Sequence, residues 1–261
     1  MTILDEILDN KRQEVALLKK TVPLESLVER PNYRRDCFSM KARLQNSSSG
    51  IISEFKRRSP SKGFIKEKAV VSDIVPGYEL AGASGVSILA DGRFFSGCVA
   101  DVETARPLVN VPLLFKEFVV DEYQLHLAKA AGADVVLLIA AALSESQCRR
   151  FSEVAKSLGL EVLLELHHST DLRFVHPEVD MVGINNRNLK TFEVDVEASI
   201  RLCQHIPNQY LKVSESGISS PEMVKRLRQE GFSGFLMGEN FMKEMDPPAA
   251  LASFIEMVLD K

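Results

Sequence analysis

From residue 50 onward the chain alternates between two kinds of segment. Short apolar runs, many of them β-branched, recur as IISEF (51–55), GVSILA (85–90), VPLLF (111–115), DVVLLIA (134–140), EVLLEL (161–166), DMVGIN (180–185), YLKVSE (210–215) and SGFLMG (233–238). Most are followed by a stretch of helical periodicity, such as DEYQLHLAKAAG or SPEMVKRLRQEG. The junctions repeat too: AGASGVSIL, AGADVVLLI, LGLEVLLEL and EGFSGFLMG each place a glycine (Gly82, Gly132, Gly159, Gly231) just before the next strand. A glycine there suits a helix end in the left-handed conformation. Strand–helix alternation over short loops implies parallel strands joined by right-handed crossovers. Strands apolar on nearly every residue imply that both faces are covered. Eight such units in about 210 residues fit a closed (β/α)8 TIM barrel, an α/β fold. An open doubly wound sheet fits less well, because no G-x-G-x-x-G turn follows the first strand.

Residues 1–49 precede this rhythm. Ile3, Ile7, Val15 and Leu18 follow helical spacing, VPLESLVE carries Pro and Glu early as helix starts do, and NSSSG closes the segment as a turn. The expectation is an N-terminal helical extension (1–49) packing on a barrel (50–261), a single domain overall. The first residues are acidic and lack a continuous apolar stretch, unlike a signal peptide. No apolar run is long enough to span a bilayer, so no membrane association is expected. A net charge of −4 gives no basic field for nucleic acid. Four cysteines (Cys37, Cys98, Cys148, Cys203) lie scattered, with no metal or disulfide spacing. That suggests a reducing, cytoplasmic setting and no metal.

In a barrel the C-terminal ends of the strands build the site, and here the polar residues collect at those ends. Glu54 and Lys56 are two residues apart, so they leave one face of the first strand together with Ile52, while Ile51 and Phe55 face the helices. Lys116 shares a face with Leu114, and Glu165 with Leu163. Asn185 and Arg187 end the sixth strand, and Ser214, Glu215 and Ser216 the seventh. A lone charge at a strand end is ordinarily a solvated loop residue. Two lysines and two glutamates at equivalent ends of different strands instead form a set with shifted acidities, suited to acid–base chemistry.

Gly217 lies in the turn of SESGIS, before the helix start Ser220-Pro221-Glu222, and Gly238 follows the eighth strand. Loops after strands seven and eight are the usual phosphate site of barrels, and Ser59 and Lys62 could reach the same anion. Phe95, Phe118 and Leu189 follow strand-end residues and suit the walls of an apolar pocket. The remaining candidates reduce to ordinary roles. His167 and His168 are adjacent and cannot both face the mouth; His126, His176 and His205 suit surface or helix positions; and Arg57 and Arg58, like RLRQE (226–230), suit solvated faces.

The motifs ISEFKRRSPSKG, LLFKEFVVDEYQ, LLELH, GINNRNL and SESGI resemble those of indole-3-glycerol phosphate synthase, along essentially the whole chain including the helices before the barrel. The resemblance implies a carbon–carbon lyase of tryptophan biosynthesis. It would close the ring of 1-(2-carboxyphenylamino)-1-deoxyribulose 5-phosphate with loss of CO2 and water, without a cofactor. It implies catalytic roles for Lys116 as general acid, Glu165 as general base, Lys56 as a second acid or carboxylate anchor, and Glu54 and Asn185 as orienting residues. Arg187, Ser216, Phe95, Phe118, Pro60 and Leu189 would contact substrate, and Ser59, Gly217 and Gly238 its phosphate. The partner is thus a small phosphorylated molecule, and the chain a monomer or weak homodimer. Two departures stand out: ADGRFFSG has Gly92 where relatives often carry an acid, which would loosen that loop, and Asn188 stands where Asp is frequent. The alternatives are another phosphate-sugar barrel isomerase or lyase, or a non-catalytic phosphate-binding paralogue.

Overall fold

A computed structural model describes residues 2–188 and 192–260. Among them, eight parallel strands close into a barrel: β1 (Ile51–Phe55), β2 (Gly85–Leu89), β3 (Leu113–Lys116), β4 (Val135–Ile139), β5 (Glu161–Leu166), β6 (Met181–Asn185), β7 (Leu211–Glu215) and β8 (Gly234–Met237). Each strand pairs with its sequence neighbours, and β1 closes the ring by pairing with both β2 and β8. The expected strands are all present. The junction glycines Gly82, Gly132, Gly159 and Gly231 all take positive φ, between 74° and 98°. Gly132 illustrates why: it ends the helix Tyr123–Ala131 in the left-handed conformation that a residue with a Cβ resists.

Side-chain parity divides the core in two. Ile52, Leu114, Val135, Leu137, Leu163, Met181, Val213 and Leu236 fill the barrel interior. Ile51, Phe55, Phe115, Val136, Leu164 and Phe235 point outward, against the helices.

The N-terminal extension engages both ends of the barrel. Helix α1 (Ile3–Thr21) begins with a capping box between Thr2 and Asp5 and ends with Lys19 and Lys20, which suit the negative end of its dipole. Its buried Lys11 reaches Glu117 (2.8 Å) and Asp91 (3.1 Å), just beyond β3 and β2. Helix α2 (Leu24–Val28) packs on the helix Tyr123–Ala131. At the opposite end, Met40 and Leu44 of α3 (Met40–Gln45) join the interior cluster and plug the barrel floor. Asp134 ties this segment down by accepting from Arg35 (2.6 Å), Arg106 (2.7 Å) and the Phe38 amide (2.8 Å).

Candidate active site

The mouth of the barrel holds a cavity of about 470 Å³, lined by residues from the strand ends and from α1. Parity delivers the expected side chains to it. On the β3 side the Lys116 ammonium lies 3.2 Å from Glu165 Oε2 and 2.9 Å from Glu215 Oε2. On the β1 side Lys56 Nζ lies 2.5 Å from Glu54 Oε1. Asn185 Nδ2 donates to Glu165 Oε1 at 3.0 Å, while its own Oδ1 accepts from the Arg187 amide. All five residues expected to be catalytic therefore line one cavity, with the two lysines only 14 % and 17 % exposed.

Two glycines make room for the acids. A Cβ at Gly183 would strike the Glu215 carboxylate, and one at Gly238 would fall 2.6 Å from Glu54 Oε1. Gly238 thus accommodates Glu54 as well as shaping the turn after β8. Burial works against a charged Lys116, but Glu215, Glu165 and Glu54 outweigh it and hold the ammonium above the ordinary lysine range. Burial alone would raise the Glu165 carboxyl; Lys116, His167 and Asn185 instead hold it well below the usual carboxylate range. Burial pushes Glu215 up to about 7, despite the pull of Lys116. Two carboxylates sharing one ammonium oppose each other's ionisation. Glu165, with the richer set of partners, keeps the charge.

The other expected contacts surround this set. Ser59 and Pro60, beyond β1, line the cavity where Arg58–Ser59 pairs with Gly63–Phe64 in a short antiparallel ribbon. Ser216 and Gly217 line it after β7, and Gly238 after β8. Ser216 has φ 66°, a conformation that costs a non-glycine residue about 1–3 kcal/mol. Asn186 restrains it by donating to the Ser216 carbonyl at 2.7 Å. Lys62 and Lys243 bring positive charge to the same side, with Lys62 3.7 Å from Glu239. Phe95 and Phe118 form a wall, their rings 6.0 Å apart and tilted by 37°. Arg187 lines the rim and donates to the Phe192 carbonyl. Leu189 lies outside the described residues. Among the described residues no group of three or more His, Cys, Asp or Glu is placed to hold a metal ion.

The structure corrects four expectations. Arg57 is not a solvated charge: it forms a two-pronged ion pair with Asp101, donates to the Ala69 and Ser96 carbonyls, and stacks on Phe55. It anchors the loop carrying Lys56 and Ser59 to the loop after β2. His176 is buried, not at the surface. Gly92 does not loosen its loop. Asp91 accepts from the Phe94 amide at 2.7 Å, Gly97 donates to the Asp91 carbonyl, and Arg93 ties the loop to Asn10 and Glu6 of α1. His167 is not incidental, because its Nε2 sits 3.1 Å from Glu165 Oε1.

Two further contributions went unassigned. Glu215 was recognisable from its parity with Val213, which places it in the interior. Ile3, Leu4 and Ile7 of α1 line the cavity; helical spacing marks them as an apolar stripe but does not say which surface the stripe covers.

The family model for indole-3-glycerol phosphate synthase matches residues 4–254. An indole-3-glycerol phosphate synthase of Bacteroides thetaiotaomicron is 54% identical over 256 residues, 98% of each chain. One of Laribacter hongkongensis is 41% identical, covering 96% of this chain and 97% of that protein. Among solved structures, tryptophan synthase subunit alpha from Legionella pneumophila aligns over 84% of this chain and 96% of its own, with TM-score 0.62 and 13% identity. A 3-hexulose-6-phosphate synthase from Salmonella typhimurium aligns over 80% and 98%, with TM-score 0.63 and 13% identity. Likenesses at that identity speak to the barrel alone, whereas the family match and the close relatives span nearly every residue: the chain belongs to the indole-3-glycerol phosphate synthase family.

Proposed function

We propose that Lys116 and Glu165 are the general acid and general base of the family's reaction in this chain, with Lys56 as the second cation. The observation that carries this is the triad at the β3–β5–β7 mouth: one ammonium between two buried carboxylates, open to a cavity on its remaining side.

The substrate, 1-(2-carboxyphenylamino)-1-deoxyribulose 5-phosphate, has a phosphate at one end, a ketone between, and a carboxylated ring at the other. Attack of the carboxylate-bearing ring carbon on the ketone carbon forms the new C–C bond and leaves negative charge on the ketone oxygen. Lys116 supplies that oxygen with a proton. Loss of CO2 returns its bonding pair to the ring and restores aromaticity. Loss of water then needs a second proton on the departing hydroxyl and removal of a proton from the neighbouring carbon, the task of Glu165.

In the resting site acid and base neutralise each other at 3.2 Å. Substrate entering between them would free Glu165 from Lys116 and raise its basicity when a base is needed. Lys56, held by Glu54, suits either the substrate carboxylate or the departing hydroxyl. Ser59, Gly217 and Gly238 would grip the phosphate, with Lys62 and Lys243 nearby. Anchoring the far end lets binding energy orient the reacting carbons. Phe95, Phe118 and Pro60 would flank the aromatic ring, with Arg187 and Ser216 beside it. A cytoplasmic monomer or weak homodimer completes the reading; four free cysteines support the reducing setting.

Lys116→Ala tests the assignment. Turnover, followed by the fluorescence of the indole product, should vanish while calorimetric binding of indole-3-glycerol phosphate largely survives. Turnover near the wild-type rate would remove Lys116 from the chemistry.

A further inference from the structure

His167 follows β5 directly and shares the face of Glu165, two residues before it. Its side chain is 5 % exposed, and its Nε2 lies 3.1 Å from Glu165 Oε1. Neither ring nitrogen has a hydrogen-bond partner among the described residues, so the 3.1 Å approach to Glu165 is an ion-pair contact that lacks hydrogen-bond geometry. The ring does not line the cavity. It stands behind the carboxylate, on the oxygen that Asn185 also holds, while the other oxygen faces Lys116. The adjacent turn is fixed: Asp171 Oδ2 accepts from the backbone amides of both His167 and His168 at 2.9 Å. A buried imidazole set against a proposed base, with both ring nitrogens lacking a hydrogen bond, has a cost that packing alone does not explain.

We propose that His167 is a positioning residue for the general base: its imidazole, from outside the substrate cavity, fixes Glu165 and keeps it a carboxylate. This rests on the assignment of Glu165 as base. The groups facing the ring are Glu165 from β5, Glu215 from β7, and Asp171 from the turn Ser169–Phe174, with the His168 ring 6.4 Å away. Burial opposes a charge on the ring, but contact with Glu165 and the fields of Glu215 and Asp171 outweigh it, so the proton is held above the ordinary histidine range. While His167 is protonated, Glu165 stays ionised to lower pH. Without it, Glu165 takes up a proton at higher pH and is lost as a base sooner.

The test is the pH dependence of kcat and KM for the wild type, His167→Ala and His167→Gln, with ring titration by NMR in the wild type and Glu165→Gln. His167→Ala should lower kcat about tenfold at neutral pH and move the acid limb of the profile upward, with KM changed less than about twofold because the ring lies outside the cavity. His167→Gln, which keeps a donor but not a titrating ring, should recover most of kcat at pH 8 and retain the displaced acid limb. In Glu165→Gln the His167 ring should lose its proton at lower pH than in the wild type. An unmoved acid limb in both His167 variants would overturn the proposal, whether their activity is retained or falls together with thermal stability. So would a His167 titration indifferent to Glu165→Gln. An inactive wild type would instead refute the function assigned to the cavity, and the NMR arm would still decide whether the two groups are coupled.

Discussion

Among the described residues, Lys11 and Lys116 each pair with two or more acids, and they differ in one respect. Lys11 is 1 % exposed and has three acids around its ammonium: Glu117 at 2.8 Å, Glu14 at 2.9 Å and Asp91 at 3.1 Å. Its ammonium donates to Glu117 and Glu14, Asp91 stands within ion-pair reach, and the side chain does not line the cavity. The cluster ties α1 to the ends of β2 and β3. Lys116 meets only Glu165 and Glu215 and lines the cavity. Both have acidities shifted in the same direction, and both leave one carboxylate raised to about 7, Glu117 in the first cluster and Glu215 in the second. Shifted acidity therefore does not distinguish a rivet from a catalyst. What distinguishes them is the cavity beside the Lys116 ammonium.

The largest effect should come from separating the two roles. Lys116→Met should lower kcat by about a thousandfold, with a smaller loss of stability than Lys11→Met, because the carboxylates it leaves behind, Glu165 and Glu215, line a cavity that water can enter. Lys11→Met should do the reverse. Removing one member of a buried ion cluster costs about 3–5 kcal/mol, readable by denaturant unfolding, while kcat per folded molecule should fall far less than in Lys116→Met. If Lys11→Met proved stable but inactive, the rivet would be part of the chemistry.

Glu215→Gln should lower kcat by about tenfold to a hundredfold, since it removes one of the two carboxylates that hold Lys116. It should also change the dependence of stability on pH. A carboxyl whose acidity is weakened by folding binds its proton more tightly in the folded state. Its contribution is complete below the ordinary value of 4.5 and is lost as pH rises through about 7. The thermal midpoint of the wild type should therefore decline across that window, and Glu215→Gln should flatten part of the decline. Glu117→Gln should flatten another part without comparable loss of kcat. An identical slope in all three proteins would show that these carboxyls are not raised.

Smaller effects bracket the comparison. Arg57→Ala breaks a half-buried ion pair with Asp101 and should cost about 1–3 kcal/mol, with KM rising because the loop bearing Ser59 and Pro60 loses its anchor. Arg12→Ala removes an exposed i,i+3 pair with Asp9, 59 % and 57 % exposed, and should change stability by less than about 0.5 kcal/mol.

The barrel was legible in the sequence because its signal is repeated. Each strand is apolar on both faces and most junctions carry a glycine, so an error at one unit is outvoted by the others. The acid–base set was legible because a strand has period two: once Ile52 and Leu163 face inward, Glu54, Lys56 and Glu165 must follow. The same rule points to Glu215, which stood unused between two serines. What could not be read depends on distant partners. Arg57 looked solvated because its acid lies 44 residues away. The reach of α1 over the mouth depends on Lys11 finding Glu117, 106 residues on. His167 was set aside because an adjacent histidine pair gives no metal pattern, although its parity with Glu165 was visible. Local periodicity fixes which way a side chain points, and only tertiary contact fixes what it meets.

The central claim is that the lysine cluster open to the cavity does chemistry and the one away from it holds α1. The most direct measurement supplies 1-(2-carboxyphenylamino)-1-deoxyribulose 5-phosphate to the wild type, Lys116→Met and Lys11→Met, each shown to be folded at the assay temperature, and follows indole fluorescence. The account predicts product from the wild type and from Lys11→Met, and none above about a thousandth of the wild-type rate from Lys116→Met. A silent wild type, or a Lys116→Met protein that turns over as well as Lys11→Met, would contradict it.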